Sequence, residues 1–292
     1  MLAASSVVAG MSVVDDGALV DERAERLGNA VAIAPAPRPA PRAVPDLLVS
    51  DSAWLGMHNY GGVDSVRGFP HELALASCRR RVAPSCGNVN GFVPITALQE
   101  IDSRGFGYHT LIMATGYNDS DHNFRSDLGE IMALTRSLGY QRVVWLTLRS
   151  NVTYTSPGNA GFGAVFERNN ETLREIAASG RYPELFVADW AVYARDHPEW
   201  FSPRDGIHLR NHGAFAAGDY ISRKIAFLDG RPCPYPLRPG EQVMPYCADP
   251  DATGPVADLD GLYPIGEPFP SGTFVLEFEG SSSWPDPPWW DR

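Results

Sequence analysis

Short apolar runs alternate with helix-like stretches along most of the chain, and this alternation is the feature that most restricts its fold. Three stretches repeat their apolar residues near the helical period, and five runs are short enough for buried strands. The stretches are residues 126–138, 164–178 and 212–228, and the runs are residues 47–49, 73–76, 111–114, 143–148 and 185–188. Strands that alternate with helices form βαβ units, so the sequence predicts an α/β fold with a mostly parallel sheet covered on both faces.

The two ends of the chain differ in composition from the region between them, which predicts three parts. Residues 1–45 combine an apolar start with a Pro- and Ala-rich run that favours polyproline II and forms a stiff linker. Residues 46–230 carry the alternating pattern and form the folded domain. Residues 231–292 are rich in proline and aromatic residues and are expected to wrap the surface, with carbohydrate or partner binding by Trp289 and Trp290 as the alternative.

The acidic charge of the chain limits its partners. A formal net charge of −11 over 292 residues argues against nucleic acid and against an anionic membrane surface, because both are bound by clusters of Lys and Arg. One basic run, formed by Arg79, Arg80 and Arg81, is predicted to be a solvated turn, with a binding role as the alternative. Beyond the linker no apolar run is long enough to cross a membrane, so we expect no span within the folded domain.

Four cysteines fall into two local pairs, Cys78 with Cys86 and Cys233 with Cys247, and neither pair has the CxxC spacing of a zinc or redox site. Two short disulfides are the simplest interpretation, and four unpaired core thiols are the alternative. Disulfides persist outside the reducing cytosol. Residues 1–14 are apolar and small, as in the hydrophobic region of a signal peptide or the end of a membrane anchor, although the stretch lacks a basic start. We therefore expect a secreted or extracytoplasmic protein.

Three short motifs at predicted strand ends or in loops contain the residue types that acyl transfer needs. Ser52 follows the first strand, Asn118 follows the third, and Asp205 lies three residues before His208. A histidine beside a carboxylate can take the proton of a serine hydroxyl, and an asparagine amide can donate to the oxyanion that then develops. Taken singly, Ser52 also suits a helix cap and the Asn118 segment a turn. Their order and their common rim of the sheet favour the catalytic interpretation.

The later two motifs resemble sequence blocks of the SGNH hydrolases, also called GDSL esterases. The third block of that family reads Gly-x-Asn-Asp and is matched by Gly116, Asn118 and Asp119. The fifth block reads Asp-x-x-His and is matched by Asp205 and His208.

The first two blocks depart from the family pattern. Gly-Asp-Ser is matched at Asp51 and Ser52, but Ser50 stands in place of the glycine. In the second block, Arg79 stands where the family has a glycine. The resemblance covers residues 46–228 and implies a three-layer α/β/α sandwich with a mostly parallel, flavodoxin-like sheet.

The resemblance also implies a catalytic apparatus that needs no cofactor. Ser52 is the nucleophile, His208 takes its proton, and Asp205 orients the histidine. The oxyanion hole is expected to consist of the backbone N–H groups of Ser52 and Arg79 and the side-chain amide of Asn118. The residues expected to support this site are Asp51, Gly116 and Asp119.

Three functions are compatible with these residues. The first is hydrolysis of a carboxylic ester, for example an O-acetyl or other short acyl group on a small molecule, a glycan or a lipid. The second is acyl transfer by the same triad, with a sugar hydroxyl in place of water. The third is a noncatalytic carbohydrate-binding module, against which the presence of Ser52, Asp205 and His208 argues. The acyl group and the oligomeric state stay open.

One acidic segment partly resembles a calcium loop. Residues 249–260 have carboxylates at the first, third and twelfth positions and a glycine at the sixth. The segment lacks the terminal glutamate and obvious flanking helices, so an acidic surface loop is the interpretation and calcium binding the alternative. No other spacing is typical of a metal site, and we expect none.

Overall fold

The computed structural model describes residues 44–87, 91–153, 161–234 and 244–255. The apolar start, nearly all of the Pro- and Ala-rich linker and the Trp-rich end lie outside these ranges. The expectations for those segments therefore stay predictions.

The strands of the described part form one sheet in which every neighbouring pair is parallel. They are β1 (Asp46–Ser50), β2 (His71–Leu75), β3 (Thr110–Ala114), β4 (Arg142–Leu146) and β5 (Leu185–Ala188). The strand order is β2-β1-β3-β4-β5. This is the flavodoxin-like order, in which the winding reverses between β1 and β3. The predicted parallel, flavodoxin-like sheet is confirmed.

Both faces of the sheet carry apolar side chains, and helices cover both faces. Side chains alternate between the faces along a strand, so Leu48 points into one core while Leu47 and Val49 point into another. The strand register places Leu48 beside Leu73 of β2 and beside Ile112 of β3, which gives a continuous apolar row on its face. Two cores on opposite faces of one sheet confirm the three-layer α/β/α sandwich.

Helices supply the outer layers of the sandwich. They are α1 (Gly56–Asn59), α2 (Ala97–Arg104), α3 (Phe124–Ser137), α4 (Phe162–Ala178), α5 (Trp190–Tyr193), α6 (Asn211–Leu228) and α7 (Pro250–Thr253). Helices α1 and α6 pack in the core that contains Leu48, while α2 and α3 pack in the core that contains Leu47. Among the described residues, no helix combines the length and the apolar character that a membrane span requires.

The three long helices were predicted from the sequence, and the shorter helices, of which α2 is the longest, were not. The predicted helices at 126–138, 164–178 and 212–228 correspond to α3, α4 and α6, with ends that agree within two residues. Helix α2 was missed, although it begins with a complete capping box. The Gln99 N–H donates to Oγ1 of Thr96 at 3.1 Å, and the Thr96 N–H donates to Oε1 of Gln99 at 3.0 Å. The Thr-x-x-Gln spacing is the signal that could have located it.

Both cysteine pairs lie at disulfide-bonding distance. The Cα atoms of Cys78 and Cys86 are 5.3 Å apart, and those of Cys233 and Cys247 are 4.3 Å apart. The pair of Cys78 and Cys86 lies after β2. The pair of Cys233 and Cys247 joins the residues after α6 to the residues before α7. The expected local pairing thus holds, and the alternative of four unpaired thiols does not.

The start of the calcium-like segment is bound by a lysine. Nζ of the buried Lys224 lies 2.8 Å from Oδ1 of Asp249 and 2.6 Å from Oδ2 of Asp251, and the Tyr220 hydroxyl donates to Asp251 at 2.5 Å. The ammonium already contacts both the first and the third carboxylate of the segment, which argues against calcium there. Within the described ranges, no three His, Cys, Asp or Glu side chains are grouped to hold a metal ion.

Candidate active site

Ser52, His208 and Asp205 form one hydrogen-bonded chain at the carboxyl-end edge of the sheet. Nε2 of His208 lies 3.1 Å from Oγ of Ser52, and Nδ1 of the same ring lies 3.0 Å from Oδ2 of Asp205. Asp205 is buried, whereas Ser52 and His208 are partly exposed. A base therefore lies within reach of a hydroxyl, and a carboxylate lies behind the base. This arrangement suits removal of the serine proton.

Main-chain contacts hold the serine and the histidine near each other. Ser52 begins a 3₁₀ turn directly after β1, and the next residue, Ala53, accepts the backbone N–H of Leu209 at 3.0 Å. The two chain segments approach closely at Gly56, where a Cβ atom would overlap the carbonyl oxygen of Leu209. Glycine is required there because no side chain fits between the segments.

The loop that carries Asp205 and His208 is closed on itself. The Ser202 N–H donates to the carbonyl of His208 at 2.8 Å, and Oδ1 of Asp205 accepts the N–H groups of Ile207 and His208 at 2.9 and 3.0 Å. Burial by itself would raise the pKa of Asp205, but the hydrogen bond and charge of His208 and these two N–H donors hold it below its ordinary value. Asp205 is therefore a carboxylate that faces the histidine ring.

Asp51 joins the ends of β1 and β3. Its fully buried carboxylate accepts the N–H groups of Gly116 at 2.8 Å, Tyr117 at 2.9 Å and Ala53 at 3.0 Å. Burial raises the pKa of Asp51, and the three N–H donors act in the opposite direction. The contact fixes the turn that begins at Ser52 against the loop after β3.

Asn118 lies in that loop and is partly exposed. Its Nδ2 donates to the carbonyl oxygen of Arg79 at 3.2 Å, which ties the loop after β3 to the loop after β2. The structure thus brings the Asn118 amide and the Arg79 main chain together, as the oxyanion-hole prediction requires. Their roles toward a substrate stay predictions.

Asp119 secures the turn that presents Asn118. The Asp119 N–H donates to the carbonyl of Gly116 at 3.2 Å, and its carboxylate accepts the Arg81 N–H at 3.2 and 3.3 Å. Burial raises the pKa of Asp119 to about 6, although the charge of Arg81 opposes the shift. The side chain is 3% exposed, so its hydrogen bonds form out of contact with bulk water.

The prediction of a solvated turn at the basic run is wrong for two of its three arginines. Arg79 and Arg81 are buried, and only Arg80 is partly exposed. Arg79 donates to Glu100 at 2.7 Å, and Arg81 donates to Asp127 at 3.0 Å. Removing a guanidinium from water is costly, and in each case a carboxylate partner offsets part of that cost. The partners lie 21 and 46 residues further along the chain, where no local pattern indicates them.

A left-handed backbone conformation, which favours glycine over other residues, occurs one residue before the position where the family has a glycine. Cys78 has a φ of 68°, and in the described ranges it is the one non-glycine residue with a positive φ. Arg79, at the expected glycine position, is not among the positive-φ residues. The peptide unit between them carries the Arg79 N–H.

Arg149 contacts the loop that carries Asp205 and His208, and it was not predicted from the sequence. It follows β4, and its buried guanidinium donates to the carbonyl oxygens of Gly206 at 3.0 Å and Ala194 at 2.6 Å. Its own N–H donates to the Tyr117 hydroxyl at 2.7 Å. Burial lowers the pKa of the guanidinium, with the neighbouring Tyr117 opposing the shift. An arginine directly after a buried strand was the available signal, but its carbonyl partners could not be identified from the sequence.

No protein-family model matches the sequence, and no curated protein does. Several solved structures are similar. The catalytic domain of peptidoglycan O-acetyltransferase A from Streptococcus pneumoniae is 20% identical, with a TM-score of 0.44 over 61% of this chain and 90% of that chain. A carbohydrate acetylesterase from Sinorhizobium meliloti is 15% identical, with a TM-score of 0.46 over 63% and 99%. An aryl esterase from M. smegmatis is 12% identical, with a TM-score of 0.46 over 63% and 98%.

Proposed function

We propose that the chain is a serine esterase of the SGNH type, which hydrolyses a carboxylic ester through an acyl-enzyme on Ser52. The observation that carries this proposal is the contact of 3.1 Å between Oγ of Ser52 and Nε2 of His208, continued by the 3.0 Å contact between His208 and Asp205. A serine hydroxyl is a weak nucleophile unless a base takes its proton, and this contact supplies the base.

The reaction has two halves. In the first, Nε2 of His208 takes the Ser52 proton while Oγ attacks the ester carbonyl, and the imidazolium then gives that proton to the departing alcohol. In the second, water loses a proton to His208 and attacks the acyl group, and the acid leaves as Ser52 recovers its proton. Asp205 holds the ring with Nδ1–H toward its carboxylate and stabilises the imidazolium in both halves.

The negative oxygen of each tetrahedral intermediate needs donors that are already in place. The proposed donors are the N–H groups of Ser52 and Arg79 and the amide of Asn118. Asn118 is held by the Arg79 carbonyl at 3.2 Å, and the Ser52 turn is held by Asp51. Each donor of this kind contributes about 3 kcal/mol to the transition state in serine hydrolases.

The proposed substrate is an ester of a short acyl group, such as acetyl, on a small molecule, a glycan or a lipid. Two cysteine pairs at disulfide-bonding distance support a protein that matures outside the reducing cytosol. We therefore place the proposed substrate outside the cytoplasm.

Turnover of p-nitrophenyl acetate and labelling by a fluorophosphonate probe test the proposal. The wild-type chain is expected to do both, and Ser52→Ala is expected to abolish both. Ser126→Ala, an exposed serine at the start of α3, is the matched control and should behave as wild type. If the wild-type chain neither turns over the ester nor reacts with the probe, the esterase proposal fails and the noncatalytic binding module gains support.

The same assay separates hydrolysis from transfer. A sugar acceptor is added together with the acyl donor, and products are identified by mass spectrometry. Free acid as the sole product supports the esterase. An acylated sugar whose formation requires Ser52 would instead support the acyltransferase, in which the acceptor hydroxyl replaces water in the second half of the reaction.

A further inference from the structure

The bond between Cys78 and Cys86 lies against the proposed oxyanion hole. The two residues have Cα atoms 5.3 Å apart and enclose the loop that follows β2. Sγ of Cys86 lies 4.0 Å from Oδ1 of Asn118. The same asparagine donates through Nδ2 to the carbonyl of Arg79, the residue after Cys78. Both ends of the Asn118 amide therefore contact the loop that this disulfide closes.

Cys78 adopts a backbone conformation that its side chain disfavours. Its φ of 68° lies in the left-handed region, where a Cβ atom crowds the following carbonyl oxygen. Two contacts with Cys86 oppose the return to an ordinary conformation: the disulfide itself and the hydrogen bond from the Cys86 N–H to the Cys78 carbonyl at 3.3 Å. The bridge thus holds the backbone where a glycine would need no help.

The conformation of Cys78 determines where the next N–H points. The peptide unit between Cys78 and Arg79 carries the Arg79 N–H, and its plane rotates with the backbone of Cys78. The Arg79 side chain is anchored independently of the bridge, since it donates to the carbonyl of Ala74 at 2.6 Å and to Glu100 at 2.7 Å. Loss of the bridge would therefore change this one peptide unit and the Asn118 contact more than the fold.

We propose that the Cys78–Cys86 disulfide is a positioning element of the oxyanion hole, which orients the Arg79 N–H and the Asn118 amide by holding Cys78 in the left-handed conformation. The inference rests on the proposed esterase function. Its consequence is a bridge that acts on kcat, because the affected donors face charge that develops only in the transition state.

Two double variants separate the covalent bond from the backbone conformation. Cys78→Ala with Cys86→Ala removes the bridge and leaves a Cβ atom at a position with positive φ. Cys78→Gly with Cys86→Ala removes the bridge but permits that φ freely. The matched control is Cys233→Ala with Cys247→Ala, which removes the other bridge. Values of kcat and KM for p-nitrophenyl acetate are measured for each, with thermal unfolding as a check that the protein is folded.

The alanine variant is expected to lose roughly tenfold to a hundredfold in kcat with KM changed less than about twofold, as for a small misplacement of catalytic groups. The glycine variant should recover most of the lost kcat, and the control should keep the wild-type value. Wild-type kcat in a folded alanine variant would overturn the inference. Equal losses in the alanine and glycine variants would also overturn it, because the bridge would then act through something other than the φ of Cys78.

Reversible reduction tests the same inference if the alanine variant does not fold. In the Cys233→Ala, Cys247→Ala background, Cys78–Cys86 is the bridge that a phosphine reductant can open. The expected result is a fall in kcat on reduction and its return on reoxidation, and unchanged activity after complete reduction would overturn the inference. The proposed function is tested separately by Ser52→Ala. An esterase that requires Ser52 but is indifferent to the bridge would refute the inference alone.

Discussion

The backbone N–H of Gly116 donates to the Asp51 carboxylate at 2.8 Å, across the junction between β1 and β3. The same carboxylate oxygen accepts the Tyr117 N–H, and the other oxygen accepts the Ala53 N–H. Ligands of parallel α/β sheets bind where the winding reverses, and this junction is that point in the strand order. Asp51 therefore links the turn of the proposed nucleophile to the loop of the proposed oxyanion donor.

Asp51→Asn is expected to lower both stability and activity. Both carboxylate oxygens of Asp51 accept backbone N–H groups, but a carboxamide has only one acceptor oxygen. The NH₂ group of the asparagine would therefore face at least one backbone N–H that no longer has an acceptor. The free energy of unfolding should fall by about 3 kcal/mol, the usual scale for a buried charge-assisted hydrogen-bond group, and kcat should fall with it. Urea denaturation and ester turnover measure the two effects.

Asp102→Asn is the matched control, since Asp102 is an exposed carboxylate on α2. It should remain within about 0.5 kcal/mol of the wild-type stability. An Asp51→Asn variant as stable as this control would show that the carboxylate does not hold the two loops together.

The strands and long helices could be predicted because their signals are local. The run at 185–188 coincides with β5, and 111–114 differs from β3 by one residue. Such runs are apolar on both faces, and the alternation of strands with helices restricts the topology. Helix α2 was not predicted because it has only eight residues, of which three are apolar.

The residues of the candidate site that could be predicted from the sequence are those that follow strands or share one short loop. Ser52 follows β1, and Asp205 lies three residues from His208, so both placements are local. The buried partners of Arg81 and the φ of Cys78 were not predictable. Whether a charge is buried depends on a carboxylate that folding brings from elsewhere. The left-handed conformation of Cys78 depends on how the short loop closed by its disulfide folds, which the spacing of the two cysteines does not specify.

Asn118→Ala should reduce kcat by about 10² to 10³ and leave KM nearly unchanged. The proposed role of the amide is to donate to an oxyanion that exists only in the transition state, so its loss should not weaken substrate binding. The comparison is made with Asn123→Ala, an exposed asparagine before α3 that makes no capping bond through its side chain. A loss confined to KM, or a loss equal to that of Asn123→Ala, would contradict the proposed role.

Asp119 should make stability depend on pH between about 4 and 7. Its pKa in the folded protein is raised to about 6 from 3.8 by burial, so in this window the folded state binds more protons than the unfolded chain. The free energy of unfolding therefore falls as the pH rises, and the contribution of Asp119 is most favourable below pH 4.

Asp119→Asn removes this titration and serves as the reference. The wild-type protein should lose about 2–3 kcal/mol relative to the variant between pH 4 and pH 7, which corresponds to a shift of about two pKa units. Urea denaturation of both proteins across the range measures the difference. Parallel stability curves would mean that the Asp119 carboxyl titrates alike in the folded and unfolded states.

Arg149 should affect catalysis through the loop that carries Asp205 and His208. Its guanidinium donates to the carbonyl of Gly206, inside that loop, and to the carbonyl of Ala194, and it lies over the Phe201 ring at 4.3 Å. A planar group with several donors can satisfy these partners together, whereas a lysine ammonium is a single compact charge.

Arg149→Lys is therefore expected to lower kcat roughly tenfold, with a smaller change in KM, because a small shift of the histidine toward or away from Ser52 weakens proton transfer. Arg149→Met should also lower the free energy of unfolding by about 2–4 kcal/mol, since buried carbonyl groups lose their donors. Arg125→Lys, which changes an exposed ion pair with Glu175, should alter neither quantity measurably. Turnover is compared at a temperature at which every variant is folded. If Arg149→Lys lowers stability but keeps the wild-type kcat there, the guanidinium supports the fold without positioning His208.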